Sequence, residues 1–160
     1  LAVACSTLLG HRLGAEEYEA AWQHSQLFLL LAPIGALLVG IAVWLLQANL
    51  LQWVGNLPPE LMTEAGQVLG IMCLGMLLKV FNMVGIIGVL RSGGDVNYSI
   101  FIDIVGMWCI GIPLAWVAVT VLGWPLSWVV AVVLLEEFSK VLLVQRRIRQ
   151  RRWLKNLVIG

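Results

Sequence analysis

Charge is what this sequence has least of. Of its 160 residues only 12% are Asp, Glu, Lys or Arg, whereas 61% are hydrophobic, and the mean hydropathy is +0.93. A soluble globular domain carries about 25% charged and about 45–50% apolar residues. A small soluble fold cannot hide such an excess, because it keeps much of its surface in water. The shortage is also concentrated. No acidic or basic residue occurs between Ala20 and Pro59, where His24 is the one ionisable group, and none occurs between Ile104 and Leu135. A membrane-crossing helix needs about 20 mostly apolar residues. The first stretch therefore holds one span and a connection, and the second contributes to two, divided at Gly123-Trp124-Pro125.

Other scarcities exclude chemistries. Cys5, Cys73 and Cys109 are the three cysteines, all inside apolar segments. They have neither zinc-site spacing nor a disulfide framework and read as small buried hydrophobes. No GxxxxGK[ST], HExxH, GxSxG or CxxC occurs, and the glycines of GIIGVLRSGG follow no strand signature, so they make no nucleotide fingerprint. His11 and His24 are far apart and lack a ligand cluster, which leaves them as polar interface residues. No catalytic, cofactor-binding or metal site is predicted. An enzyme would need its constellation elsewhere.

What is present is a series of apolar segments separated by polar turns, an all-α polytopic membrane bundle. Leu1 already lies within an apolar run, and residues 1–10 read as the end of an earlier membrane helix of a longer chain, stopped by Gly10, rather than as a signal peptide. Spans are predicted over 26–48, 61–90, 99–122 and 126–144, followed by a basic tail over 145–160. Pro33 and Gly40 sit in the first of these and Pro113 bends the third, as membrane helices tolerate. Gly93-Gly94 stops the second, and Asp95 or Asn97 caps the next helix.

The basic residues set the expected orientation. Arg12, Arg91, Lys140 and the run from Arg146 to Lys155 fall at one side of the alternating spans, and the connections at 49–58 and 122–125 have no Lys or Arg. The positive-inside rule then predicts a cytoplasmic C-terminus in a multi-pass cell-membrane protein, the inner membrane in a Gram-negative cell. The tail QRRIRQRRWLKN reads as an anchor at the anionic leaflet of the lipid bilayer rather than a nucleic-acid site, with Trp153 at the headgroups. Trp44, Trp53, Trp116, Trp124 and Trp128 flank the outer connections, and Trp108 is assigned to packing. Gly66 with Gly70, Gly85 with Gly88 and Gly106 with Gly111 offer small surfaces for a close backbone, or points of bending.

Ionisable groups inside spans are costly and usually face a bundle interior or aqueous cavity. Three are candidates for a transport path. Asp103 is one turn inside its span, Glu137 has no sequence-local partner, and Lys79 stands about 27 Å and 17 Å along the helix from Leu61 and Leu90, too deep for easy snorkelling. Lys79 is expected to face the central cavity, to form a fixed interhelical pair with Glu137 or another carboxylate, or to lie beside lipid. Glu136 and Lys140, four residues apart, are expected to form a local structural pair.

The strings LLGHRLGAEEYEAAW at 8–22, GVLRSGGDVNYSIFIDIVGMW at 88–108, GIPLAW at 111–116 and EEFSKVLLVQRRIRQRRWLKNL at 136–157 together resemble the multidrug and toxin extrusion (MATE) transporters. The resemblance implies a twelve-helix protein of two six-helix lobes, with residues 1–160 a partial second lobe running from the end of the eighth helix through the twelfth. It places Gly10, Gly14 and Ala15 in one cytoplasmic turn and Arg91, Gly93, Gly94 and Asp95 in another. It also implies efflux of a small amphipathic substrate or organic cation in exchange for H+ or Na+. The coupling ion would be held mainly outside this fragment, and the missing N-terminal lobe and remaining helices would be its partners. Family members use acidic groups in helices one and seven, and some add one in helix ten, where this chain has Lys79. The alternatives are a lipid-linked sugar flippase of similar architecture, or a membrane enzyme whose site lies in the missing part.

Overall fold

The computed structural model describes residues 1–53 and 58–156. Every regular element among them is helical: α1 (Ala2–Gly14), α2 (Tyr18–Leu45), α3 (Gln47–Trp53), α4 (Pro59–Met83), α5 (Val96–Ile104), α6 (Ile112–Trp116) and α7 (Leu126–Arg149). Three stretches widen into π-helix. Val84–Leu90 extends α4, while Val105–Gly111 and Val117–Val121 lie on either side of α6, so that α5 to Val121 forms one long rod. The described residues form an all-α bundle of long apolar helices.

The segment boundaries follow local chemistry. Pro59 opens α4 from the first turn, where its missing N–H leaves nothing unpaired. Pro125, extended at φ −64° and ψ 157°, immediately precedes α7. Gly94 takes a positive φ of 78° in the turn before α5, a conformation that a residue with a Cβ adopts at a cost. Gly10, in contrast, does not end a helix. α1 continues to Gly14, because Leu9 and Leu13 are buried on the same face and outweigh the roughly 1 kcal/mol cost of a helical glycine. Gly14 closes α1 and Ala15 follows it, while Glu16 supplies the left-handed turn with a φ of 61°.

Tyr18–Leu45, Pro59–Leu90 and Val96–Val121 are long and apolar enough to cross a membrane. α7 has a comparable length, but Glu136, Glu137 and Lys140 interrupt its apolar character. Its stability as a span must come from partners. The continuous rod of α4 and its π extension is the hub, with α2, α7, α1 and α3 packed around it. Where α2 crosses α4 the backbones nearly touch: a Cβ on Gly40 would lie 3.0 Å from the Cys73 carbonyl oxygen.

The two ends of the bundle differ. One collects the α1–α2 turn, the turn before α5 and the end of α7 over a dense core that includes Cys5, Leu9, Val89, Leu90, Ile102 and Trp153. Trp153 is 0% exposed, which corrects its expected place at the headgroups. After α7 the chain turns back at Arg151, φ 54°, and lays the backbone of residue 153 on Gly93, where no Cβ would fit. Trp108 is corrected in the opposite sense. It is 64% exposed and packs no core of this chain, because the helix carrying it turns that face outward.

At the far end α3 occupies part of the connection expected over 49–58, of which positions 54–57, including Asn56, lie outside the described residues. There the Glu64 carboxylate accepts a 2.8 Å hydrogen bond from the N–H of Leu126. It satisfies one of the unpaired donors of the α7 start and places negative charge at the positive end of its dipole.

Candidate functional site

α7 projects its three mid-helix charges in two directions, Glu136 and Lys140 toward the rod from α5 and Glu137 toward α4. Glu136 faces the rod from α5. Its carboxylate lies against Gly111, and the stem of Lys140 lies against Gly106, with no room at either glycine for a Cβ. Lys140 Nζ is 2.6 Å from Glu136 Oε1, and the two side chains are only 10% and 12% exposed. Thus this glycine pair admits charged side chains where the sequence had suggested a close backbone. Gly85 and Gly88 admit Val144 and Cys5, and Gly66 and Gly70 face Leu51 and Trp44.

The pair does not stand alone. Asp103 Oδ1 lies 3.9 Å from Lys140 Nζ, and its other oxygen accepts a 3.4 Å hydrogen bond from Arg91. Glu136, Lys140, Asp103 and Arg91 therefore alternate in sign from the middle of α7 to the turn before α5. Two acids and two bases sum to zero, which reduces the cost of placing them in a poorly solvated bundle.

Glu137, about 100° around α7 from Glu136, meets α4. Asn82 Nδ2 donates 2.8 Å hydrogen bonds to both the side-chain Oε2 and the backbone carbonyl of Glu137. Asn82 is 3% exposed, and its Oδ1 is buried without a partner among the described residues. Sequence reasoning missed Asn82. The available signal was a lone carboxamide in an otherwise apolar stretch, a group that must find a hydrogen bond when buried.

Lys79, one turn before Asn82, is exposed and has no ion pair among the described residues. The expected pairing with Glu137 is not made: Asn82 holds that carboxylate, while Lys79 is directed away from the α4–α7 contact.

Asp95 takes the N-cap position of α5 without capping it through its side chain, and Asn97 lies within the helix. The Asp95 carboxylate instead receives Arg147 in a two-pronged contact, 2.5 Å from Nε and 3.0 Å from Nη2. The guanidinium also stacks 4.4 Å from the centre of the Tyr98 ring. The hydrogen bond that Arg147 donates to the Asp95 carboxylate raises the Arg147 pKa above its ordinary value. Arg151 repeats the arrangement on α2, 2.6 Å from Glu19 and 4.4 Å over the Trp22 ring. Arg12 pairs with Glu17 across the first turn, and Asn156 reaches Glu16 at 3.4 Å. The polar turns at this end are one clasp.

Toward the far end, α2, α3, α4 and α7 surround an apolar groove of about 1150 Å³, somewhat above the usual range of small-molecule sites, about 300–1,000 Å³. Trp44, Trp128, Leu37 and Met62 supply much of its wall, with Gln47 and Gln67 among its few polar groups. Gln47 Oε1 is buried without a partner among the described residues.

The MatE family model matches residues 1–117, almost three quarters of these helices and the turns that join them. The chain belongs to the MatE family. It is similar to the uncharacterized transporter YisQ of Bacillus subtilis (strain 168), with 24% identity over 148 residues, 92% of this chain and 32% of that protein. It thus spans about a third of the length of that relative. No solved structure matches. Family and spans together make this MatE chain part of a multi-pass membrane transporter.

Proposed function

We propose that the MatE chain is part of the second lobe of a secondary active exporter that expels organic cations or other amphipathic compounds in exchange for H+ or Na+. The observation that carries this reading is the layer of Asn82, Glu136, Glu137 and Lys140 held inside the long rod Pro59–Leu90 and midway along α7. Ionisable groups persist at such depth when they face a bundle interior that exchanges ions or water. Alternating access then follows from two populated arrangements of the lobes, with the ion gradient shifting their ratio.

The groove beside Trp44 and Trp128 suits the organic cargo. Its apolar wall takes a hydrophobic body, the indole faces attract a cationic group, and the unpartnered Gln47 oxygen can accept a hydrogen bond. The principal coupling-ion ligands belong to the remainder of the full-length protein, which lies in the cell membrane with a cytoplasmic C-terminus. Ion-driven export in sealed vesicles bearing the full-length protein tests the reading. Accumulation of an organic cation dye should require an imposed proton or sodium gradient and should collapse with an ionophore. Dye flux indifferent to both gradients refutes antiport.

A further inference from the structure

The arginines at the end of α7 divide into two groups. Arg147 is paired with Asp95 in a mostly buried contact and Arg151 with Glu19 at the surface, each guanidinium over an aromatic ring. Arg146 and Arg149 are exposed and have no acid partner among the described residues. They also border apolar surface. A crevice of about 200 Å³ between α2, α4 and α7 is walled by Leu29, Leu30 and Phe81 and ends at Gln145 and Arg149. A second hollow of about 440 Å³ shares Gln145 and Arg149 and adds Arg146.

This arrangement has two parts of different chemistry. Leu30 is 61% exposed beside the buried Leu29 and the half-buried Phe81, so the outer edge of the apolar wall is open. The adjoining guanidiniums present planar forks suited to phosphate oxygens, and Gln145 adds an amide donor. A free inorganic anion would use the forks and leave the wall bare. A zwitterionic lipid would fill the wall but bring its own cation toward two arginines. We propose that this crevice is a binding site for one anionic phospholipid, its phosphate between Arg146 and Arg149 and an acyl chain along Leu29, Leu30 and Phe81. The site is independent of the transported substrate and of the coupling ion.

The test uses the purified full-length protein in mixed micelles containing phosphatidylglycerol or phosphatidylcholine, with retained lipids counted by native mass spectrometry. Phosphatidylglycerol should be retained preferentially. At about a tenfold effect per 1.4 kcal/mol and about 1 kcal/mol per surface arginine, the Arg146→Gln/Arg149→Gln double variant should bind it about 30-fold more weakly. Arg152→Gln, outside the crevice, should lose no more than about threefold. A photo-crosslinking residue at Gln145, with both arginines intact, should capture phosphatidylglycerol and keeps the test valid if the double variant does not fold. Equal retention of the two lipids, an equal loss from Arg152→Gln, capture of no lipid at position 145, or full displacement by millimolar inorganic phosphate would each overturn the assignment. The last outcome would mark a free-phosphate site, and the third would mean that other helices of the full-length protein cover the wall.

Discussion

Lys79 and Glu137 differ in what their surroundings ask of them. Glu137 is already engaged by Asn82, whereas Lys79 carries its charge on an exposed face of α4 without an ion pair among the described residues. In the full-length transporter an ionisable group so deep in a span needs a bundle interior or an aqueous cavity to face. Lys79→Gln should therefore alter the pH or cation dependence of export while leaving surface expression unchanged. Identical profiles for variant and parent would remove Lys79 from the coupling scheme. A separate test concerns Gly111, whose missing side chain makes room for the Glu136 carboxylate. Gly111→Ala should destabilise the purified protein by about 1–3 kcal/mol, the usual cost of forcing extra volume into a packed contact. Thermal unfolding in detergent measures it, and Gly10→Ala, which meets nothing within 4 Å, is the control expected to show no loss.

At the scale of elements, the stretch after α7 acts as a strap. It carries Trp153 into the core and lays backbone on Gly93, and Arg147 and Arg151 fasten it to α5 and α2. Trp153→Ala should cost about 3–5 kcal/mol, as for other large buried aromatics, whereas Arg152→Ala on the exposed side should stay within about 0.5 kcal/mol. Unchanged thermal unfolding of the Trp153 variant would show that the strap is dispensable. The Arg147 pKa is raised in the folded state, so its contribution is fully present below the ordinary guanidinium value and is lost only as pH rises through the still higher folded value. Its side of the contact is therefore insensitive to pH across the physiological range.

For the molecule as a whole, sidedness is the consequence that experiment reaches most directly. The strap end holds the unpaired arginines, and the Glu64–Leu126 end holds the groove between Trp44 and Trp128. With single cysteines introduced into a background lacking native ones, an impermeant thiol reagent on intact cells should label position 56 and spare position 150. External labelling at 150 in place of 56 would invert the molecule and move the strap outside. Partners also explain how α7 carries Glu136, Glu137 and Lys140 with a span's length: Asn82 of α4 holds Glu137, Lys140 answers Glu136 within α7, and Asp103 of the rod from α5 adds a second carboxylate near Lys140.

The amino-acid sequence by itself determined the helical class, the approximate places of the spans and the turns, and the i, i+4 geometry that lets Glu136 meet Lys140. These are local consequences of apolar run length, proline and glycine, and helical periodicity. Its motifs also pointed to the family that the comparison then established. Only the tertiary structure decided which charges share a network. Asp103 joins Lys140 because the rod from α5 crosses α7 on two glycines, Asn82 claims Glu137 from another helix, and Asp95 leaves its cap for Arg147. The basic run looked like a free lipid anchor, since periodicity cannot show a chain reversing after its helix. The fold separates Arg147 and Arg151, paired with carboxylates and stacked on rings, from Arg146 and Arg149, which have no acid partner among the described residues. Burial and pairing across distant segments are properties of packing, and identical arginines acquire different roles only there.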